Sequence, residues 1–353
     1  PYAIVQIPAG ILVDKIGARK VMTMGMIGCA FGSYLFQKST GLILPVLSRA
    51  IIGVSCGAAF IAPMALVKQW LPKNMFATAA GMIQLLGCLG AMLSTPAAYF
   101  VAELGWRDTF LKTAFIALFL LFIFCVLIKE KRRDIQQQQP LNIKKDLSAL
   151  LKNPQVWYVG LIAMASWSII GGFTESLGVK YLSELSGQSI SGASMLMSFA
   201  WLSVALISPI AGYWSEHTAN KTLPIVIMYS IALISFALLI SGVVTHPTLI
   251  AVLLFLAALS AGGQPIAFGL IADIAPASVL ATAVSFCNAC VIAGAFIIQP
   301  LVSFTLDSVW SGESVNNIAY YSLNEYALSF LPITFVLLSG IMITRYLTLR
   351  SKT

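Results

Sequence analysis

Long apolar runs without a single charge leave this chain few ways to fold. Residues 113–128 and 249–259 are unbroken hydrophobic stretches, and similar runs recur from end to end. Hydrophobic residues make up 59% of the chain and charged residues only 10%, where a soluble domain carries about a quarter. No polar coat remains for water, so the solvent is lipid. Lipid admits only helices and closed barrels, because every backbone N–H and C=O must be satisfied internally. A barrel strand alternates apolar and polar residues; these runs do not. The expected fold is all-α and polytopic.

We read about eleven spans, near residues 1–13, 20–37, 42–67, 76–101, 107–128, 155–178, 190–214, 222–244, 248–273, 279–305 and 326–348. The net charge of +8 could suggest a nucleic-acid partner, but its distribution excludes one. Lys and Arg collect in alternate loops: Lys15, Arg19 and Lys20, then Lys68 and Lys73, the 129–152 segment, Lys221 and the C-terminal end. The opposite loops hold little beyond Lys38, Arg107 and Lys180, with Asp307, Glu313 and Glu325 beside them. Positive residues stay inside, which places the C-terminus and the 129–153 loop in the cytoplasm and implies an inner-membrane protein. The first visible span then runs inward, so one preceding helix is expected, for twelve in all.

The segment 129–154 is charged, carries four glutamines and Pro140, and lacks a spanning run. It reads as a cytoplasmic linker between an N-terminal bundle, 1–128, and a C-terminal bundle, 155–353. An internal repeat supports the division. Ala77-Thr78-Ala79, Gln84, Gly90-Ala91 and Pro96 recur 204 residues later as Ala281-Thr282-Ala283, Asn288, Gly294-Ala295 and Pro300. Gly10, Asp14 and Arg19 recur 202 residues later as Gly212, Glu216 and Lys221. Parallel repeats of this kind build many transporters.

The clearest motif is Gly10-Ile11-Leu12-Val13-Asp14-Lys15-Ile16-Gly17-Ala18-Arg19-Lys20. Gly10 admits a close neighbouring helix, Gly17 permits a tight turn, and Asp14 can pair with Arg19 or with a neighbouring helix terminus. The run resembles the loop signature between the second and third helices of the major facilitator superfamily, with Ala18 intervening before the basic pair. Arg49-Ala50-Ile51-Ile52-Gly53-Val54-Ser55-Cys56-Gly57 is similar to that family's fourth-helix pattern. The Gly-Pro pair frequent in the fifth helix of its drug antiporters does not occur in 87–96, which weakens an export reading. Gly105-Trp106-Arg107-Asp108 resembles a family corner that anchors the outer interface. The resemblance implies two pseudo-symmetric six-helix bundles, the first helix being absent here. It also implies alternating access around a midplane site between the bundles. Gly10, Asp14, Gly17, Arg19, Lys20, Gly212, Glu216 and Lys221 would then be gating residues.

Polar residues inside spans are candidate substrate contacts: Arg49, Gln84, Thr95, Trp167, Trp201, Gln264, Asn288 and Gln299. Arg49 either touches an anion or snorkels to headgroups. The amides either glue helices together or face a cavity. Gln84 with Thr95, and Asn288 with Gln299, are each eleven residues apart and so share a helix face; both stripes are expected to face one central cavity. Trp167 and Trp201 stack on substrate or fill core. Gly262-Gly263-Gln264-Pro265 marks a hinge or a static kink. Glu175, after Gly171-Gly172, is a proton-carrier candidate, unless its helix ends at the glycines.

Cys287 and Cys290 have CxxC spacing without further ligands and read as small helix residues. No metal or cofactor is expected. The only histidines, His217 and His246, lie near span ends on opposite sides, so no catalytic cluster is in prospect and an enzyme is set aside. The expected partners are a small-molecule substrate, protons and the bilayer, with the protein a monomer. Proton-coupled uptake of a small polar metabolite leads. An exporter of drugs, metabolites or siderophores is the alternative within the class, and a non-transporting receptor or sensor the rival outside it.

Overall fold

The computed structural model describes residues 2–92, 105–128, 143–315 and 318–350. The chain is helical almost throughout. In order come α1 (Tyr2–Ile16), α2 (Ala18–Gln37), α3 (Ile43–Cys56), α4 (Ile61–Trp70), α5 (Phe76–Met92), α6 (Trp106–Leu127), α7 (Ile143–Lys152) and α8 (Pro154–Ser166). A π-helix, Ile170–Leu177, leads into α9 (Gly178–Ser186) and α10 (Ile190–Glu216). Then follow α11 (Leu223–Ile240), α12 (Pro247–Ala257), α13 (Gly263–Ile274), α14 (Leu280–Ser308), α15 (Leu323–Ser329) and α16 (Leu331–Arg350). Two two-residue strands, Ser314–Val315 and Ile318–Ala319, pair antiparallel before α15.

Among the described residues, eight helical segments are long and apolar enough to cross a membrane, and Phe76–Gly90 is a shorter apolar helix. This is a multi-pass membrane protein. Its outer surfaces carry the residues that water would expel: Phe115, Phe119 and Phe122 on α6 are each more than 60% exposed. Such faces are stable only against acyl chains.

Backbone contacts divide the chain into two compact units that interleave along the sequence. The first holds Pro1–Phe76, Leu89–Val156 and Ile271–Ala289; the second holds Ala77–Cys88, Trp157–Leu270 and Cys290–Thr353. In the first unit, Ala9, Val13, Ala18, Val21, Ile61 and Ala62 pack with Ala281 from the N-terminal end of α14. In the second, Phe173, Tyr181, Phe236 and Phe330 form an edge-to-face cluster with ring centroids 4.9–6.3 Å apart. The Tyr181 hydroxyl donates to the Leu239 carbonyl at 2.9 Å, so this buried aromatic leaves no polar orphan.

The second unit also contains close backbone packing between distant stretches of the chain. In the second unit a Cβ added to Gly81 would lie 2.6 Å from the Pro209 Cα. One added to Gly212 would lie 2.7 Å from the Thr78 amide nitrogen. Only hydrogen fits where α5 and α10 touch main chain to main chain. Gly81→Leu is therefore expected to cost at least the ~1–3 kcal/mol typical of overpacking. Gly87→Ala, with nothing within 4 Å of the new methyl, should be neutral. Melting both variants in detergent checks this, and equal midpoints would contradict it.

Candidate functional site

The gating candidates assemble at two helix N-termini. A helix start exposes amides without intrahelical partners and carries partial positive charge. In the first unit Asp14, 5% exposed at the end of α1, fills that role for α14. Its Oδ1 accepts from the Ala281 amide at 3.0 Å, and its Oδ2 accepts from the Thr282 amide at 2.8 Å and the Thr282 hydroxyl at 2.6 Å. Gly10 makes the approach possible, since a Cβ there would stand 2.8 Å from the Ala281 carbonyl oxygen. Of the two partners the sequence offered Asp14, the helix terminus is the one these bonds show.

The second unit repeats the device. Glu216 Oε1 accepts from the Ala77 amide at 2.6 Å, and Oε2 accepts from the Thr78 amide at 3.2 Å and from the Thr78 hydroxyl. Each acid thus holds an Ala-Thr pair opening a helix that follows a proline and a 3₁₀ turn, Lys73–Met75 in one case and Ala277–Val279 in the other. Proline cannot donate backwards into a preceding helix and sets φ for the turn; Pro72 and Pro276 have φ of −64° and −57°. Among the other gating candidates, Gly17 adopts φ 93° at the turn between α1 and α2. Arg19 donates from Nη2 to the Cys125 carbonyl at 2.8 Å, near the C-terminal end of α6, where cations are favoured. Lys20 and Lys221 are exposed.

The intramembrane candidates fall into two groups. In the second unit the π-helix brings several together. Trp167 and Trp201 meet edge to face at 6.2 Å. The Trp167 side chain hydrogen-bonds Glu175. Gln299 donates from Nε2 to the Gly171 carbonyl at 3.0 Å, and Gly171 lies so close to α14 that a Cβ would stand 2.7 Å from that of Ala295. The helix does not end at Gly171-Gly172. It widens into π-turns and continues to Ser186, which keeps Glu175 within a span; such π segments often mark functional sites. Gln264 opens α13 immediately after the 3₁₀ stretch Ala258–Gly262. It is buried, and its Oε1 finds no partner among the described residues. Gln84 is half-buried on α5. Thr95 lies outside the described residues.

In the first unit Asn288 is buried on α14 and donates from Nδ2 to Gln6 Oε1 at 2.9 Å. Gln6 was not among the sequence candidates. Its repeat position, 202 residues on, is Ser208, so the pattern that selected Gln84 and Asn288 passes over it. Arg49 stands over two rings, 4.9 Å from the Phe36 centroid and 5.2 Å from that of Phe110. Its charge is thus already engaged by cation–π contact.

Comparison with known proteins follows the same lines. The family model described as Major Facilitator Superfamily matches residues 1–300. An uncharacterized transporter, YybO of Bacillus subtilis (strain 168), is 25% identical over 375 residues, covering 97% of this chain and 81% of that one. The D-galactonate transporter of Escherichia coli O6:H1 is 28% identical over 118 residues, covering 33% of this chain and 27% of that one. The solved E. coli fucose:proton symporter FucP superposes with TM-score 0.74 at 17% identity, over 98% of this chain and 88% of that one.

Proposed function

The chain belongs to the major facilitator superfamily, and from that premise we propose that it takes up a small polar metabolite by alternating access, coupled to protons. Secondary transport is what its relatives support; substrate, direction and coupling are the proposal. The observation that carries it is the pair of carboxylate cradles, Asp14 on Ala281 and Thr282 and Glu216 on Ala77 and Thr78. Hydrogen bonds to a charged group are worth ~1.5–3 kcal/mol each, enough to hold one conformation yet within reach of binding energy. These acids clasp helix ends and leave the substrate to other residues. A two-state protein so clasped can be shifted by a ligand that prefers the unclasped state.

The substrate contacts are assigned to Asn288 in the first unit and to Trp167, Trp201, Gln264 and Gln299 in the second. Glu175 is assigned the proton, because a carboxylate within a span is costly unless it titrates or is paired. The positive loops support a C-terminus on the cytoplasmic side of an inner membrane. Uptake of labelled D-galactonate and of fucose into proteoliposomes, with and without an inward proton gradient, tests the reading. Accumulation of either that collapses with the gradient is expected. Gradient-independent equilibration would remove the coupling, and no uptake of any member of a wider metabolite panel would remove transport.

A further inference from the structure

Gln6 carries more hydrogen-bonding capacity than its surroundings use. It is fully buried in the first unit, beside Val5 and Ala9 of the apolar cluster on α1. Its Oε1 accepts from Asn288, but its Nε2 is buried without a partner among the described residues. An amide NH2 offers two hydrogens, and leaving a donor unmet in an apolar interior is costly. With N and O of both amides exchanged, the spare hydrogens would belong to Asn288 and the buried unpaired atom at Gln6 would be Oε1; the structure has the unpaired donor at Gln6. The pair lies two turns from Asp14 along the same α1–α14 seam, eight residues and about 12 Å deeper.

Helix glue does not explain this arrangement. Two apolar residues of the same shape would pack the seam without an orphan, and such double replacements are often neutral or stabilising. We propose that the Gln6–Asn288 pair is a ligand site: its surplus amide hydrogens donate to a carboxylate oxygen of the substrate when the seam parts. The inference rests on the transport reading above and deepens it by naming the substrate class, a small hydroxy acid such as D-galactonate. An amide suits this role. It donates to an anion without bringing a second charge into lipid, and a bond to a charged acceptor is about twice as strong as a neutral one. In the closed seam the donor is covered, so the bond forms only in the opened state.

The test uses the full chain and two readouts. Equilibrium binding of labelled D-galactonate, with fucose as the uncharged control, measures the site. N-ethylmaleimide labelling of Cys287, quantified by peptide mass spectrometry, reports the seam independently, because Cys287 is fully buried and adjoins Asn288. In the double variant Gln6→Met/Asn288→Leu, D-galactonate affinity should fall tenfold or more while Cys287 is labelled no faster than in the parent protein. Gln6→Met alone should lose affinity as well. Faster Cys287 labelling in the double variant would make the pair structural glue and overturn the inference. So would unchanged D-galactonate affinity, which is also the result if a permanently held water satisfies the donor. Parent protein that binds fucose but not D-galactonate, or that binds neither, would overturn the inference and leave the transport reading to the wider metabolite panel.

Discussion

Asp14→Asn slows turnover by tenfold or more without weakening substrate binding. The carboxylate accepts three hydrogen bonds from Ala281 and Thr282 and also faces the positive end of α14. Asparagine keeps one acceptor oxygen and turns an NH2 towards an N–H, so at least one of the three bonds is lost. The charge–dipole attraction goes too, ~0.3–1 kcal/mol and up to ~2 in buried geometry. Together with a charged bond of ~1.5–3 kcal/mol, the clasped state loses ~2–4 kcal/mol. That shifts its population roughly thirtyfold to several hundredfold. A cycle that must pass through that state slows accordingly, while the residues that touch substrate are unaltered. Glu216→Gln should behave alike, since Ala77 and Thr78 receive the same kind of cradle. Initial rates and equilibrium binding on the same preparations decide the matter. A large loss of affinity with normal turnover would reject the gating role.

Glu175→Gln abolishes proton-driven accumulation and spares exchange. The amide fills the same space on the π-helix and can still meet Trp167, but it cannot release a proton. Substrate on both sides should then swap at near-parental rates, while a pH gradient drives no net concentration. The comparison is counterflow against gradient-driven uptake in proteoliposomes, with an expected loss of more than tenfold in accumulation ratio. Accumulation that persists unchanged assigns the proton to another carboxylate or ends the coupling.

The sequence made the helical class legible because composition excludes a water-soluble fold and the unbroken apolar runs exclude a barrel. The two cradles were half legible. Charge and glycine spacing marked Asp14 and Glu216, and the repeat tied them together. Their partners were not readable, because the amides of Ala281 and Ala77 lie 267 and 139 residues away along the chain and a backbone donor has no residue type. The π-helix was invisible for a different reason. Nothing in the apolar pattern of Ile170–Leu177 separates a five-residue hydrogen-bond repeat from a four-residue one. The widening goes with a close approach to Ala295 and a bond from Gln299, both on a distant helix. Gln6 has no amide counterpart in the second half, where Ser208 stands, so the repeat that marks Gln84 and Asn288 does not reach it. Arg49 was marked as costly in lipid, but the two phenylalanine rings that receive it lie on different helices.

The interleaving of the two units has a bearing on biosynthesis. Ile271–Ala289 belongs with the residues that open the chain, and it brings Ala281, Thr282, Ser285 and Asn288 to α1. Domains ordinarily fold as they emerge, the N-terminal one first. Here α1 enters the bilayer before Asp14 and Gln6 can make their bonds to α14, and those bonds wait until α14 has been translated. The α1–α14 seam therefore closes late, after the helices between them have been inserted. A chain that ended before residue 271 would lack the helix start that Asp14 holds and the amide that meets Gln6.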